Sequence, residues 1–242
     1  MSGLPGPLEA LARGARALAM RGDRVECPIC GGRFRAFLPG GPERRPNAQC
    51  PGCGSLERQR LMWLYLQERT PLFARPHALL HVAPERDLAR RLSALPHLRY
   101  VSGDLDSPRA QVRLNLERLP FRDRAFDAIL CSHVLEHVAD ARAALRELRR
   151  VLAPGGWAIL QSPIDPARAR TFEDPAVTAP EDRLRVFGQR DHARIFGRDY
   201  PEWIRAAGFE VSVEPFVATL GEPRIARLGL DRDEDVVVGR AG

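Results

Sequence analysis

Four of the five cysteines fall into two matching units, Cys27-Pro28-Ile29-Cys30-Gly31 and Cys50-Pro51-Gly52-Cys53-Gly54, with 19 residues between them. The chemistry this pattern offers is metal binding. Cys-x-x-Cys sets two thiolates on one tight knuckle, and two knuckles supply the four soft ligands that zinc takes at tetrahedral corners. The glycine after each second cysteine permits the positive-φ turn that closes the knuckle. Cys27, Cys30, Cys50 and Cys53 would fill every position of the ion, so a structural zinc is expected rather than a catalytic one. Two disulfides, or a redox pair, are the alternative readings. The chain does not begin with a long apolar core and a small-residue cleavage site, which opposes the first. A thioredoxin-like pair needs one motif beside a βαβ unit, whereas here two stand in a loop-rich segment. Cys131, alone in an apolar run, is expected to be a buried core thiol.

The basic residues are the next chemical resource. All 37 are arginine, and the net charge is +6. Residues 1–75 hold 12 Arg against 6 acidic residues, while residues 76–242 hold 25 against 25. An excess confined to the N-terminal third can mark an anion-binding face. Arg33, Arg35, Arg44, Arg45, Arg58 and Arg60 would then be phosphate contacts to RNA. Four zinc-bound thiolates would reduce the local excess from +6 to about +4.

The elements that must position these groups follow from periodicity. At 242 residues and 27.0 kDa, with 44% hydrophobic and 28% charged residues, the chain can bury a core without staples, and wholesale disorder is excluded. Its apolar runs, such as Ala128 to Cys131, are far too short to span a bilayer, and a cytoplasmic protein is expected. A Gly/Pro-rich start leads to an amphipathic helix pattern at Leu8, Leu11, Ala15 and Leu18. A loop-rich stretch from Glu26 to Ser55 precedes an apolar helix through Leu56, Leu61, Trp63, Leu64, Tyr65 and Leu66 that ends before Pro71. From His77 onward short apolar runs alternate with helical patterns: 78–82, 87–95, 98–101, 126–131, 141–152, 157–161, 200–207, 210–213 and 234–238. That alternation predicts a parallel α/β sheet covered on both faces. The expected division is 1–75 for helix, zinc ribbon and linking helix, and 76–242 for the α/β domain.

Within the second part stand Leu119-Pro120-Phe121-x-Asp123-x-x-Phe126-Asp127, then Val134-Leu135-Glu136-His137-Val138, then Leu145-x-Glu147-x-x-Arg150-Val151-Leu152-x-Pro154-Gly155-Gly156. On these motifs the chain resembles the class I S-adenosylmethionine-dependent methyltransferases of the type 11 group, over roughly residues 78–215. With the cysteine units it is similar to a bacterial zinc-ribbon methyltransferase. The resemblance implies a Rossmann-like, doubly wound, mostly parallel seven-stranded sheet and S-adenosyl-L-methionine as cofactor. It implies that Asp104 accepts hydrogen bonds from both ribose hydroxyls, with Asp106 as the substitute if the strand ends later. Asn115 and Leu116 would lie at the adenine, and Ser132 and His133 at the methionine end and the methyl group. In the first strand–helix turn the family has an acidic residue and then Gly-x-Gly; here His81 replaces the acid, and Ala83 and Glu85 stand at the glycines. Glu85 would either meet the cationic methionine amino group or serve as an acid at a helix start behind Pro84. Pro154-Gly155-Gly156 is read as a turn device.

The segment 162–200 is longer than a connection needs and is read as a lid-like insertion. Gln189, Asp191, His192 and Arg194 are expected to line the acceptor side, with Gly188 and Gly197 as hinges and Phe187 and Phe196 as water shields. His133 and His192 are the candidate bases for an acceptor that must lose a proton, while His77, His97 and, by default, His81 are taken as structural. Three functions are carried forward. The first is methyl transfer to a small-molecule or sugar- or lipid-linked acceptor. The second is methylation of RNA gripped by the basic ribbon. The third is a degenerate fold that binds a ligand or partner without catalysis.

Overall fold

The structure is a computed structural model and describes residues 7–41 and 44–242. In chain order the N-terminal elements are α1 (Pro7–Ala19), β1 (Arg21–Glu26), β2 (Arg33–Phe34), β3 (Leu38–Gly40), β4 (Arg45–Gln49) and α2 (Glu57–Arg69). The middle elements are β5 (His77–Val82), α3 (Arg86–Leu92), β6 (Leu98–Asp104), β7 (Val112–Arg113), β8 (Phe126–Ser132), α4 (Ala141–Val151) and β9 (Leu152–Gln161). After them come β10 (Phe172–Glu173), α5 (Pro180–Phe187), β11 (Arg194–Ile195), α6 (Tyr200–Ala206), β12 (Glu210–Glu214), α7 (Glu222–Leu228) and β13 (Val236–Arg240). No helix among the described residues is long and apolar enough to cross a membrane.

The chain divides into two compact units. The first runs to Arg75 and takes in Arg86–Arg91 and Pro215–Asp235; the second holds Pro76–Glu85, Leu92–Glu214 and Val236–Gly242. Sequence patterning places 215–235 with the α/β domain, whereas in the fold this segment joins the N-terminal unit. Its physical cause is one buried side chain. Arg60, fully buried on α2, donates to the carbonyls of Leu228 (2.7 Å) and Gly229 (2.6 Å) as well as Ala48 (2.8 Å) and Ser55 (2.9 Å). Arg227 on α7 adds ion pairs to Glu26 (2.9 Å) and Asp23 (3.2 Å). Strands β1–β2 and β3–β4 of this unit are two antiparallel pairs.

The second unit is built on a seven-stranded sheet in the order β12-β13-β9-β8-β5-β6-β7. β7, β6, β5, β8 and β9 are parallel, and β13 runs antiparallel to both β9 and β12. This is the doubly wound architecture expected. Its central strands bury both faces, so they read as continuous apolar runs (Leu79, Leu80, Val82; Ala128 to Cys131; Ala158 to Leu160). From β5 the chain winds outward to β6 and β7 on one side and, after returning, to β8 and β9 on the other. The β5/β8 boundary is therefore the topological switch point, where ligands of open α/β sheets bind beyond the carboxyl ends.

Two motifs prove to be braces of this frame. Glu147 and Arg150 on α4 bond each other (2.7 Å), Glu147 accepts the Leu119 N–H (2.7 Å), and Arg150 reaches the Phe121 carbonyl (2.8 Å) and Asp123 (2.7 Å). The Leu-Pro-Phe-x-Asp run is thereby tied to the helix that follows β8. Pro154-Gly155-Gly156 lies inside β9 rather than in a turn before it. The pairing of β8 with β9 shifts register there, and Gly155 takes φ +72 with its N–H on the Ala241 carbonyl (2.8 Å).

Candidate functional site

In the first unit the two cysteine knuckles fold alike. Gly31 N–H bonds the Cys27 carbonyl (2.8 Å) and Cys27 N–H the Gly32 carbonyl (2.9 Å); Gly54 and Cys50 repeat this with the Cys50 and Ser55 carbonyls (2.9 Å each). Gly31 and Gly54 stand at φ +72 and +89, where a Cβ is strained. The knuckles bring Cys27 Sγ to 3.7 Å from Cys53 Sγ, and Cys30 Sγ to 3.7 Å from Cys50 Sγ. A disulfide needs about 2.0 Å, and all five cysteines are free thiols. Sulfurs held about 2.3 Å from one tetrahedral ion lie about 3.8 Å apart. The four sulfurs could thus hold one such ion. Cys131 is fully buried, and burial pushes its thiol well above the ordinary value, as expected of a core residue.

The arginines offered for phosphate are largely committed elsewhere. Arg60 is the buried latch. Arg45 bonds Glu57 (2.7 Å), Arg33 faces Asp23 (3.4 Å) and Glu26 (3.5 Å), and Arg35 donates to the Ala19 carbonyl.

In the second unit the switch point assembles most of the other expected residues. Val82 pairs with Cys131 and with Gly103, so β5, β6 and β8 end side by side. Immediately beyond, Ala83 adopts φ +47 and donates its N–H to the Gly103 carbonyl (2.8 Å). Ala83 thus keeps the left-handed backbone of a glycine position while carrying a methyl group. A Cβ on Gly103 would meet Leu114 at 1.9 Å, so the strand end requires glycine. Glu85 turns back onto His81: Nε2–H donates to Oε2 (2.8 Å), and Nδ1 accepts the Tyr100 hydroxyl (3.0 Å). A carboxylate can only accept here, which fixes that tautomer for a neutral ring. His81 itself is 1% exposed and lies beneath the turn, so its side chain anchors Glu85 rather than facing a ligand.

Asp104 ends β6. Its Oδ1 accepts the N–H groups of Asp106 (2.9 Å) and Ser107 (2.8 Å), and among the described residues Oδ2 takes no hydrogen bond. A shallow cavity of about 300 Å³ lies along Leu105–Pro108 and Arg113 beside it. Asp106 is exposed, 3.8 Å from Arg113. The adenine pair is less available than expected. Asn115 Oδ1, the acceptor offered to the adenine amine, accepts the Glu117 N–H (2.9 Å), and the Leu116 side chain is buried in the core cluster.

Ser132 is buried at the end of β8, and His133 follows with φ +55, its N–H on the Gln161 carbonyl (2.8 Å). The His133 ring approaches Glu136 (3.4 Å), a carboxylate only 2% exposed. The insertion delivers His192 to the same place. It is a built substructure: β10 pairs with β11, and α5 packs Phe187 inward. Ala193 N–H bonds the Glu136 carbonyl (2.7 Å), and His192, 8% exposed, stacks edge-on against His137 at 4.8 Å between centroids. Burial, and then the charge of His137, hold His192 below its ordinary pKa.

The other members of the insertion cluster part company. Gln189 and Asp191 are exposed. Arg194 is 2% exposed and donates to the carbonyls of Leu135 (2.6 Å), Val138 (2.6 Å) and Ala139 (2.8 Å), so it braces the turn after β8 and does not line a pocket. Gly188 is the left-handed cap of α5, and Gly197 is pressed against the Arg170 backbone, where a Cβ would stand at 2.5 Å. Neither is placed as a hinge. Phe196 is a fully buried core residue. Glu136 and His137 were not singled out from sequence, although both stand in the quoted Val-Leu-Glu-His-Val run; two ligating side chains in succession were the available signal.

Comparison with known proteins agrees with this frame. Residues 84–160 match the family model described as a methyltransferase domain. An uncharacterized 37.1 kDa protein of a Streptomyces fradiae transposon is 31% identical over 135 residues, 54% of this chain and 39% of that protein. The ubiquinone/menaquinone biosynthesis C-methyltransferase UbiE of Xylella fastidiosa (strain M23) is 44% identical over 68 residues, 28% of this chain and 22% of that protein. The chain thus spans well under half the length of these curated relatives. Among solved structures, an S-adenosylmethionine dependent methyltransferase from Mesorhizobium loti superposes with a TM-score of 0.53 at 18% identity, covering 74% of this chain and 96% of that one. The fold is that of a Rossmann-like methyltransferase.

Proposed function

We propose that this protein is an S-adenosylmethionine-dependent methyltransferase acting on a small-molecule or sugar- or lipid-linked acceptor. The observation that carries the reading is the switch point itself, where Ala83, Asp104 and Ser132–His133 end three adjacent parallel strands. The residue set suits the cofactor. Asp104 keeps Oδ2 for the ribose hydroxyls, and the left-handed Ala83 lets the backbone pass without a glycine. Glu85, pinned by His81, is a carboxylate for the cationic amino group. When bound, S-adenosylmethionine supplies an already activated methyl group. The chain's part is then alignment and exclusion of water. The insertion contributes by bringing His192 against His137 in the turn that follows β8, so His133 and His192 are the candidate bases for an acceptor that must lose a proton.

Cys27, Cys30, Cys50 and Cys53 are read as a structural zinc site, supported by the 3.7 Å sulfur pairs. RNA is less favoured as acceptor, because Arg60 and Arg45 of the six ribbon arginines are spent on contacts within the first unit.

A second reading has its own support. The His81–Glu85 bond occupies the turn where the resemblance leads one to expect glycine, as it would in a binding protein without catalysis. Calorimetric titration with S-adenosylhomocysteine, followed by a methyl-transfer assay over a panel of hydroxylated small molecules, tests both. Binding with turnover supports the first reading, binding without turnover the second, and no binding overturns both.

A further inference from the structure

Glu136, His137 and His192 form a second cluster of metal-ligating side chains, distinct from the cysteines and contained within the second unit. Their ligand atoms all lie within 4.8 Å of one another. The arrangement of hydrogen bonds around them is selective. His137 Nδ1 faces the Asp191 carbonyl at 3.3 Å and the Asp191 carboxylate at 3.4 Å. Both partners are acceptors, so Nδ1 carries a proton, and in the neutral ring Nε2 presents its lone pair. That lone pair points towards Glu136 Oε1, 3.9 Å away. At 3.9 Å the two atoms share no hydrogen bond, and with the neutral ring a nitrogen lone pair and a carboxylate oxygen face one gap that a cation would bridge. The other carboxylate oxygen, Oε2, accepts the Ser162 hydroxyl at 3.0 Å. The His192 ring forms no hydrogen bond among the described residues, and its one ring contact is with His137.

We propose that Glu136, His137 and His192 bind one divalent transition-metal ion. Two imidazoles and a carboxylate are a ligand set used for zinc and for ferrous iron, with positions left open to exogenous oxygen. The supporting contacts match what such sites require. A ligating histidine donates its other N–H to a carbonyl or carboxylate, as His137 does to Asp191, and a ligating carboxylate is itself hydrogen-bonded, as Glu136 is by Ser162. Ligand atoms about 2.1 Å from one tetrahedral ion lie about 3.4 Å apart, so an ion would draw the widest pair of this set inward by up to about 1.4 Å. The ring of His133 approaches the same carboxylate, 3.4 Å from Glu136 Oε1. His137 is 32% exposed on its side chain, which leaves an entry path from solvent. This inference goes beyond the methyltransferase reading; with the ion bound His192 is a ligand, and His133 is then the base left for an acceptor that must lose a proton.

The test is titration of the purified full chain with Co²⁺, followed by absorption spectroscopy and calorimetry. One equivalent is expected to bind with weak d–d bands and without a thiolate charge-transfer band, which separates this site from the cysteines. His192→Asn and His137→Asn should each weaken that equivalent about tenfold or more, with melting temperatures of the metal-free proteins close to wild type. Glu136→Gln should do the same, but its deep burial makes the two histidine variants decisive. No thiolate-free Co²⁺ equivalent in the wild type would overturn the proposal. So would unchanged affinity in both folded histidine variants. S-adenosylhomocysteine binding, measured in parallel, reports on the methyltransferase reading separately.

Discussion

The two carboxylate oxygens of Asp104 differ: Oδ1 caps the 104–107 turn through two backbone N–H groups, and Oδ2 takes no hydrogen bond among the described residues and is the oxygen proposed for the ribose. The division decides how the residue should be probed. Asp104→Ala removes both roles at once. Asp104→Asn keeps an oxygen for the turn and replaces the ligand-facing acceptor with an amide donor. Asp104→Asn is therefore expected to lower S-adenosylhomocysteine affinity about tenfold or more, the loss of one charge-assisted bond worth about 1.5–3 kcal/mol, with an unchanged melting temperature. Affinity equal to wild type would move the ribose contact to another carboxylate. The cysteines allow an equally direct test. Metal analysis should find zinc bound by the four thiolates, and Cys27→Ser should release it and destabilise the first unit, because binding energy at such sites is folding energy. Disulfides on mass mapping of the native protein would refute this.

At the scale of elements, the turn after β8 is held from outside. Arg194 on β11 fills the carbonyls of Leu135, Val138 and Ala139 and pairs with Glu173 on the facing strand β10 (3.0 Å). One side chain thus joins the insertion to the turn that carries Glu136 and His137. Arg194→Met keeps the stem but leaves three carbonyls without their donor. A loss of about 2–4 kcal/mol in chemical denaturation is expected, since unsatisfied buried groups cost about 1–3 kcal/mol each and the site can partly relax. Hydrogen exchange should quicken at Ala193, whose N–H bonds the Glu136 carbonyl, while the β5–β6 amides stay protected. Uniform protection in the variant would show that Arg194 is not the latch.

At the scale of the whole molecule, sequence order and compactness disagree. Pro215–Asp235 follows the α/β sheet in sequence yet folds with the N-terminal unit. Arg60 is the reason, with Leu228 and Gly229 taking half of its four bonds. Its guanidinium meets backbone carbonyls and the Phe37 ring at 4.0 Å, and burial lowers its pKa against the opposing pull of nearby negative charge, Cys27 and Glu57 foremost. Arg60→Met is expected to destabilise the first unit by more than about 3 kcal/mol. Limited proteolysis should then cut within 215–235 before the central strands. Wild-type cleavage kinetics would place the attachment elsewhere.

What the sequence determined by itself is whatever repeats locally. The Cys-x-x-Cys-Gly knuckles, the apolar runs of β5, β8 and β9 and the motif around α4 are each set by neighbours within a few residues. Their positions and the doubly wound sheet were legible for that reason. Pro154-Gly155-Gly156 was misread as a turn because a bulge and a turn both demand the same positive φ, and only pairing with β8 distinguishes them. The fates of Asn115 and Leu116 were equally hidden, since residue type does not say whether an acceptor is already used or a side chain faces the core. Tertiary structure alone decided which distant groups meet. His192 reaches Glu136 and His137 through a hydrogen bond from its neighbour Ala193 and the brace of Arg194, and Arg60 gathers 215–235. Buried backbone carbonyls must be satisfied wherever they lie along the chain, and no local pattern states which arginine will satisfy them.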